Sequence, residues 1–313
     1  AGSSGTGAVN VGPEAAGGYA IDTAATLDIT AADSITVSGR IRALGNVVMS
    51  SGDDIAFAGG SVNGAQTVSM SAGVDGSGSI LGSSLGGTDV FAAGPLTLSA
   101  ANAIGGGFAL VARVGGQATL LSPSIDAEVS ASPGGNPLIL SVSDIGGGPA
   151  SSVVMDVSSS TQVLFDTFNV AVADITATTP SLLVPDGHIT DHAVFNLPGY
   201  STRIDTLSRR PHSGFDVNAF TLDGAFLLNG AVDSLTLDSF ILRQSANLRV
   251  AGDPSGNATT VTQNLLQSMG SFNDPVSGWS LSWSGVFMPQ SDGGGSGLVS
   301  IDPDWIGLNE GNR

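Results

Sequence analysis

The sequence predicts an all-β chain wound as a right-handed parallel β-helix, a β-solenoid, that runs into an irregular β-rich carboxyl-terminal part with one short capping helix. Three observations carry this expectation. Apolar residues spaced by one recur as pairs at Leu27/Ile29, Ile35/Val37, Val47/Met49, Ile55/Phe57 and Val68/Met70. Alternate pairs start 20, 20 and 21 residues apart. Between the pairs lies turn chemistry: Ala31-Ala-Asp-Ser34, Gly39, Gly45-Asn46, Ser51-Gly-Asp-Asp54 and Gly59-Gly60.

An apolar pair at i and i+2 puts both side chains on one face of a strand, because side-chain direction alternates with period 2. A strand that buries two or three side chains is too short to be stable alone, so such repeats stack on their neighbours into a continuous core. An antiparallel sandwich, whose strands also recur every ~8–12 residues, is the competing architecture. The solenoid is favoured because the alternating spacings close on a near-constant period, and because two-residue Asn-Gly or Asp-Gly hairpin signals are few.

In chain order, residues 1–20 read as a lead-in or incomplete first coil, with one Val9-Asn-Val11 triplet among Gly, Ala and Ser. Residues 21–180 read as the regular solenoid. The glycines between 73 and 94 surround Ile80/Leu81 and Val90/Phe91 as a coil with an extended loop. Leu96/Leu98, Leu110/Val111, Leu120/Leu121, Ala127/Val129, Leu138/Leu140 and Val153/Met155 continue the strands, and 163–175 is denser and more aromatic. From Pro180 on come all His and Trp and most of the Arg and Pro, and residues 181–313 read as an irregular cap or assembly region. There Val261, Leu265, Leu266 and Met269, after Asn257 as a cap, fit an amphipathic helix that would cover the last coil. Trp279, Leu281 and Trp283 alternate along one strand face, placed either to close the chain's own sheet or to dock on a neighbour.

Composition narrows the function. The 313-residue chain is 41% apolar and 12% charged, without a run of 18 apolar residues, which fits neither a disordered chain nor a membrane-spanning helix. Net charge is −18, lysine is absent and the basic residues are nine arginines. Such a surface disfavours nucleic acid as a partner and suits divalent cations. Cysteine is absent, so disulfides contribute nothing to stability.

The run from Leu27 to Ile55, Leu-Asp-Ile-Thr-Ala-Ala-Asp-Ser-Ile-Thr-Val-Ser-Gly and onward, resembles the repeats of filamentous haemagglutinin-type exoproteins. The resemblance covers residues 24 to about 175 and rests on small polar and aliphatic residues. It implies a secreted Gram-negative adhesin that reaches the cell surface through an outer-membrane secretion partner. The family's amino-terminal secretion domain is not found here; Asn136-Pro137 sits between glycines and reads as a corner.

Several groups are candidates for chemistry. Asp186, His188 and His192 are candidate metal ligands if their segment is helical; in a strand the two imidazoles would lie about 13 Å apart. Arg203, Arg209, Arg210 and His212 form a basic cluster suited to a carboxylate or sulfate of a polysaccharide, to an acidic patch on another subunit, or to internal pairing with Asp205 or Asp216. Asp53, Asp54, Asp75, Asp89, Asp144 and Asp292 lie at turns, where Ca²⁺ binding competes with plain solvation. Neither a catalytic constellation nor a resident cofactor is expected.

The expected function is therefore a secreted, extracellular or cell-surface structural or adhesive protein. Its partners would be a host or neighbouring-cell surface or a polysaccharide. Two alternatives are a head-to-tail homopolymer of an extracellular filament or biofilm matrix, with Trp279 and Trp283 at the subunit contact, and a polysaccharide-active β-helix enzyme.

Overall fold

The structure, a computed structural model, describes residues 7–13, 18–134, 136–179 and 181–197, and beyond these the backbones of strands between residues 214 and 301. The chain divides into two units, Ala1–Ser160 and Thr161–Arg313.

The first unit is a stack of coils with three short strands each. The first coil holds β1 (Val9–Val11), β2 (Ile21–Thr23) and β3 (Leu27–Ala31), and the second β4 (Ile35–Val37), β5 (Arg40–Ala43) and β6 (Val47–Ser51). The third holds β7 (Ile55–Phe57), β8 (Ser61–Gly64) and β9 (Val68–Ala72). In the fourth are β10 (Ser79–Leu81), β11 (Val90–Ala92) and β12 (Leu96–Ala100), and in the fifth β13 (Ala103–Gly105), β14 (Leu110–Val114) and β15 (Gln117–Leu121). Each strand pairs in parallel with its counterpart one coil on, which generates three ladders: β1-β4-β7-β10-β13, β2-β5-β8-β11-β14 and β3-β6-β9-β12-β15.

In-register stacking turns the sequence repeat into columns. Ile35 lies beside Ile55, Ile55 beside Ile80, Ile80 beside Ile104 and Ile104 beside Ile125. All five are at most 1% exposed, so from β4 to β16 each rung of the first sheet contributes one fully buried isoleucine. Burying such a side chain is worth ~1.5–3 kcal/mol, so it is the stack that supplies the core each three-residue strand lacks. The expected pairs align likewise: Leu27 with Val47 and Val68, and Ile29 with Met49 and Met70.

Close approach at the corners demands small residues. A Cβ on Gly52 would sit 1.9 Å from the Ala32 carbonyl oxygen of the coil before, and Gly105 combines a φ of +99° with the Asp126 carbonyl at 2.2 Å from its would-be Cβ. One corner then disappears: β16 (Ser124–Ala131) pairs first with β13 and next with β14, so the first two sheets are spanned by one strand. The strands β17 (Leu138–Ser143) and β18 (Ser152–Ser158) follow on β15 and β16.

The second unit uses long strands. Here β19 (Val163–Thr178) runs parallel to β20 (Ser181–Leu197). Along β19 the buried residues are Val163 and Phe165, then Phe168 and Val170, then Ala173, Ile175 and Ala177. Alternation is broken at Asp166-Thr167 and Ala171-Val172, where two successive residues avoid the core. Each break re-aims the inward side by one residue, as a β-bulge does. Phe165, Phe168 and Phe195 meet in the interior with ring centroids 5.0, 6.1 and 5.4 Å apart.

Parallel pairing extends from β20 to β21 (Gly214–Leu222) and β22 (Ala225–Gly230), then to β23 (Ser234–Leu242) and β24 (Asn247–Val250). The strand β23 is followed by β25 (Thr260–Gln263) and β26 (Leu266–Asn273). Pairing turns antiparallel with β27 (Ser280–Val286), β28 (Gln290–Ser291) and β29 (Val299–Ile301), where β27 joins β26 and β29 joins β24.

The expected capping helix over 257–269 is a correction. Thr260–Gln263 and Leu266–Asn273 are strands parallel to β23, and no helix is present among the described residues. Thr259, Thr260, Val261 and Thr262 are four β-branched residues in succession, which favours extended backbone. The spacing that mimics a helix face instead sets Val261 beside Leu235 and Leu266 beside Phe240.

Candidate functional site

Stacked coils bury one side of every strand and leave the other as a surface that repeats at each rung, about 4.8 Å apart. In the first unit the third sheet presents hydroxyls. Thr30, Ser50, Ser71 and Ser99 form one outward column, and Ser69, Thr97, Thr119 and Ser141 another.

The second sheet presents the cations. Arg40, Arg42 and Arg113 are the only basic residues in 1–160, and all three stand on its outward side. One column there runs Asp22, Arg42, Asn63, Phe91, Arg113 and Ser130. Arg42 binds Asp22 with both arms of its guanidinium, at 2.9 and 2.7 Å, and this hydrogen-bonded pairing raises its pKa above the ordinary value. The Arg40 and Arg42 guanidiniums lie 5.1 and 4.8 Å from the centroid of the Tyr19 ring, and Arg40 donates to the Gly18 carbonyl at 2.9 Å. These two arginines fasten the first coil to the second. Arg113 is exposed and has no carboxylate within ion-pair distance among the described residues. The chain's period could have revealed the clamp, since Asp22 precedes Arg42 by one 20-residue repeat.

Acidic residues gather elsewhere. Asp33, Asp53, Asp54, Asp75 and Asp144 all occupy turns leading from the third sheet to the first. Two of these carboxylates lock backbone: Asp54 accepts from the Ser79 N–H at 2.8 Å, and Asp144 from the Ile145 N–H at 2.8 Å. Among the described residues no three His, Asp or Glu side chains are placed together to hold a metal ion. Asp89 differs from the rest, being 2% exposed. It accepts from the Val111 N–H at 3.0 Å and the Ser83 N–H at 3.5 Å, which ties the loop before β11 to the next coil. Burial pushes its pKa up, with the two N–H contacts opposing.

The other expected groups are dispersed. Asp186, His188 and His192 lie on the one strand β20, so the helical geometry that would join the imidazoles is absent. His188 is in register with Asn169 and Thr221, while His192 is in register with Ala225 beyond an irregularity in the ladder. Arg203, Arg209, Arg210, Trp279 and Asp292 lie outside the described residues. Trp283 is on β27, opposite Gly270 of β26, so that strand closes a sheet of its own chain.

At the amino-terminal end of the first unit an open groove of about 630 Å³ is lined by Val9, Val11, Tyr19, Ile21, Leu27 and Ile29. It is the end of the core beside β1, β2 and β3, each of which has one ladder partner.

Compared with known proteins, the chain matches no protein-family model, no curated protein and no solved structure.

Proposed function

We propose that this chain is the contact-making part of a secreted bacterial cell-surface protein, a β-solenoid adhesin whose outward faces bind weakly at many points. The observation that supports this reading is the in-register stack of the first unit. On the third sheet it sets a hydroxyl at successive rungs, Thr30, Ser50, Ser71 and Ser99 in one column, and so offers an extended ligand the same contact several times. A shallow face repeated in this way gains affinity through simultaneous engagement, where each later contact is intramolecular. Its resemblance to filamentous haemagglutinin-type repeats points the same way.

The filament alternative needs a strand to donate. Both segments suited to that role, β27 and β29, pair with β26 and β24 of their own chain, which favours the adhesive reading over strand exchange.

The test is retention of the full chain on a panel of immobilised polysaccharides and intact bacterial cells, with released sugar assayed in the same wells. Retention without release is expected. Release of soluble oligosaccharides would replace this reading with the enzymatic one, and failure to bind any surface would remove it.

A further inference from the structure

The third rung onward of the second sheet carries a surface that neither the clamp at Tyr19 nor the core explains. Phe91 on β11 and Arg113 on β14 are in-register neighbours, one coil apart, and both point outward. Asn63 of β8 precedes Phe91 in the same column. At the corner entering this sheet, Phe108 is 55% exposed, two residues before β14 begins, and Leu85 of the preceding coil is 78% exposed. Two phenylalanines, a leucine and a cation with no ion-pair partner among the described residues therefore lie on two successive coils.

We propose that Phe91, Phe108 and Arg113 form a binding strip for an acidic polysaccharide, one bearing carboxylates on its sugar rings. This names the ligand class of the adhesive reading above and rests on it.

Charge selects the ligand. In the first unit the outward side of the second sheet holds every cation, while five of the acids, Asp33, Asp53, Asp54, Asp75 and Asp144, lie in turns between the third and first sheets. Arg40 and Arg42 are engaged with Gly18, Asp22 and Tyr19, which leaves Arg113 to meet an external anion. A guanidinium matches a carboxylate through two parallel N–H donors. Glu128 bounds the strip on the next rung, in register with Val111, so the anion approaches from the Phe91 side.

The aromatic residues select a sugar. Their electron-rich faces attract the C–H groups of a pyranose, and Phe108, in the bend before β14, is five residues from Arg113, a span of at most about 18 Å. That reach suits an extended chain whose rings meet the phenylalanines while a carboxylate meets the arginine.

The experiment measures binding of the full chain to immobilised polyuronate, with neutral dextran as reference, for the wild type and for Arg113→Gln, Phe108→Ala and Phe91→Ala. Val74→Ala, at an exposed turn between the third and first sheets, serves as a variant away from the strip, and circular dichroism checks that each variant keeps its strands. Expected are preference for polyuronate over dextran, weakening with added salt, and a loss of about tenfold for Arg113→Gln with Val74→Ala unchanged. Polyuronate binding that survives all three strip substitutions would overturn the strip while leaving the adhesive reading intact. Equal binding to dextran would overturn the acidic ligand. Binding to no surface would remove both readings together.

Discussion

The two units turn corners by different means, and the difference locates where each is vulnerable. In the first five coils of the first unit strands of three to five residues are separated by turns in which coils approach too closely for a side chain, as at Gly52. In the second unit β19 stays a single strand of 16 residues and re-aims its inward face at Asp166-Thr167 and Ala171-Val172. The first design places its tolerance in loop length and its constraint in glycine. The second removes the turns and places its constraint in the core, where three phenylalanines fill the interior.

The core substitutions should have the largest effect. Phe168→Ala is expected to destabilise β19 and β20 by about 3–5 kcal/mol, and Ile80→Ala the ladder from β7 to β13 by about 2–5 kcal/mol. Denaturant unfolding gives the total, and amide exchange assigns the loss to each set of strands. A loss below about 1 kcal/mol at either site would contradict the packing described.

Corner substitutions sharpen the contrast. Gly52→Ala must displace the Ala32 carbonyl and should cost about 1–3 kcal/mol. Thr167→Ala, at an exposed corner of β19, should stay within about 0.5 kcal/mol. Equal losses would mean that the two corners are not built differently.

A pH effect follows from Asp89. Its carboxyl keeps its proton to higher pH in the fold than in the unfolded chain, so the folded state binds more protons across that interval. Stability from this group is therefore greatest below its ordinary pKa, falls as pH rises towards the raised value, and is level beyond it. Asp89→Asn keeps an oxygen for the Val111 and Ser83 N–H groups and lacks the titration. Unfolding midpoints at stepped pH should show the wild type losing ground to the variant across that interval; a constant difference would contradict the assignment.

The smallest effect is expected at the exposed clamp. Arg42→Ala should leave the melting temperature nearly unchanged while amides of Ile21–Thr23 exchange faster, because the pair with Asp22 holds the first coil only locally.

The repeat made much of this fold legible. Leu27, Val47 and Val68 are adjacent in space because the sequence period is the length of a coil. A third strand per coil was not visible, since its inward residues are Ile41 with Ala43 and Val62 with Gly64, and the small partners spoil the apolar pair. At 257–269 two strands reproduced a helical spacing by coincidence of register. The column that joins Phe91 to Arg113 is not legible in the sequence, because the two are 22 residues apart in a region where coil length varies and the ladder, not a fixed period, sets it.

Stacking in register is the claim on which the rest depends, and a chain without cysteine permits a direct test. Ser69 and Thr97 are partners on β9 and β12, facing outward, about 4.8 Å apart and within disulfide reach. Oxidation of the Ser69→Cys/Thr97→Cys variant should give an intramolecular disulfide, whereas Ser69→Cys/Thr119→Cys, two coils apart, should stay reduced. Failure of the first pair to close, or equal closure of the second, would contradict the stacked-coil architecture.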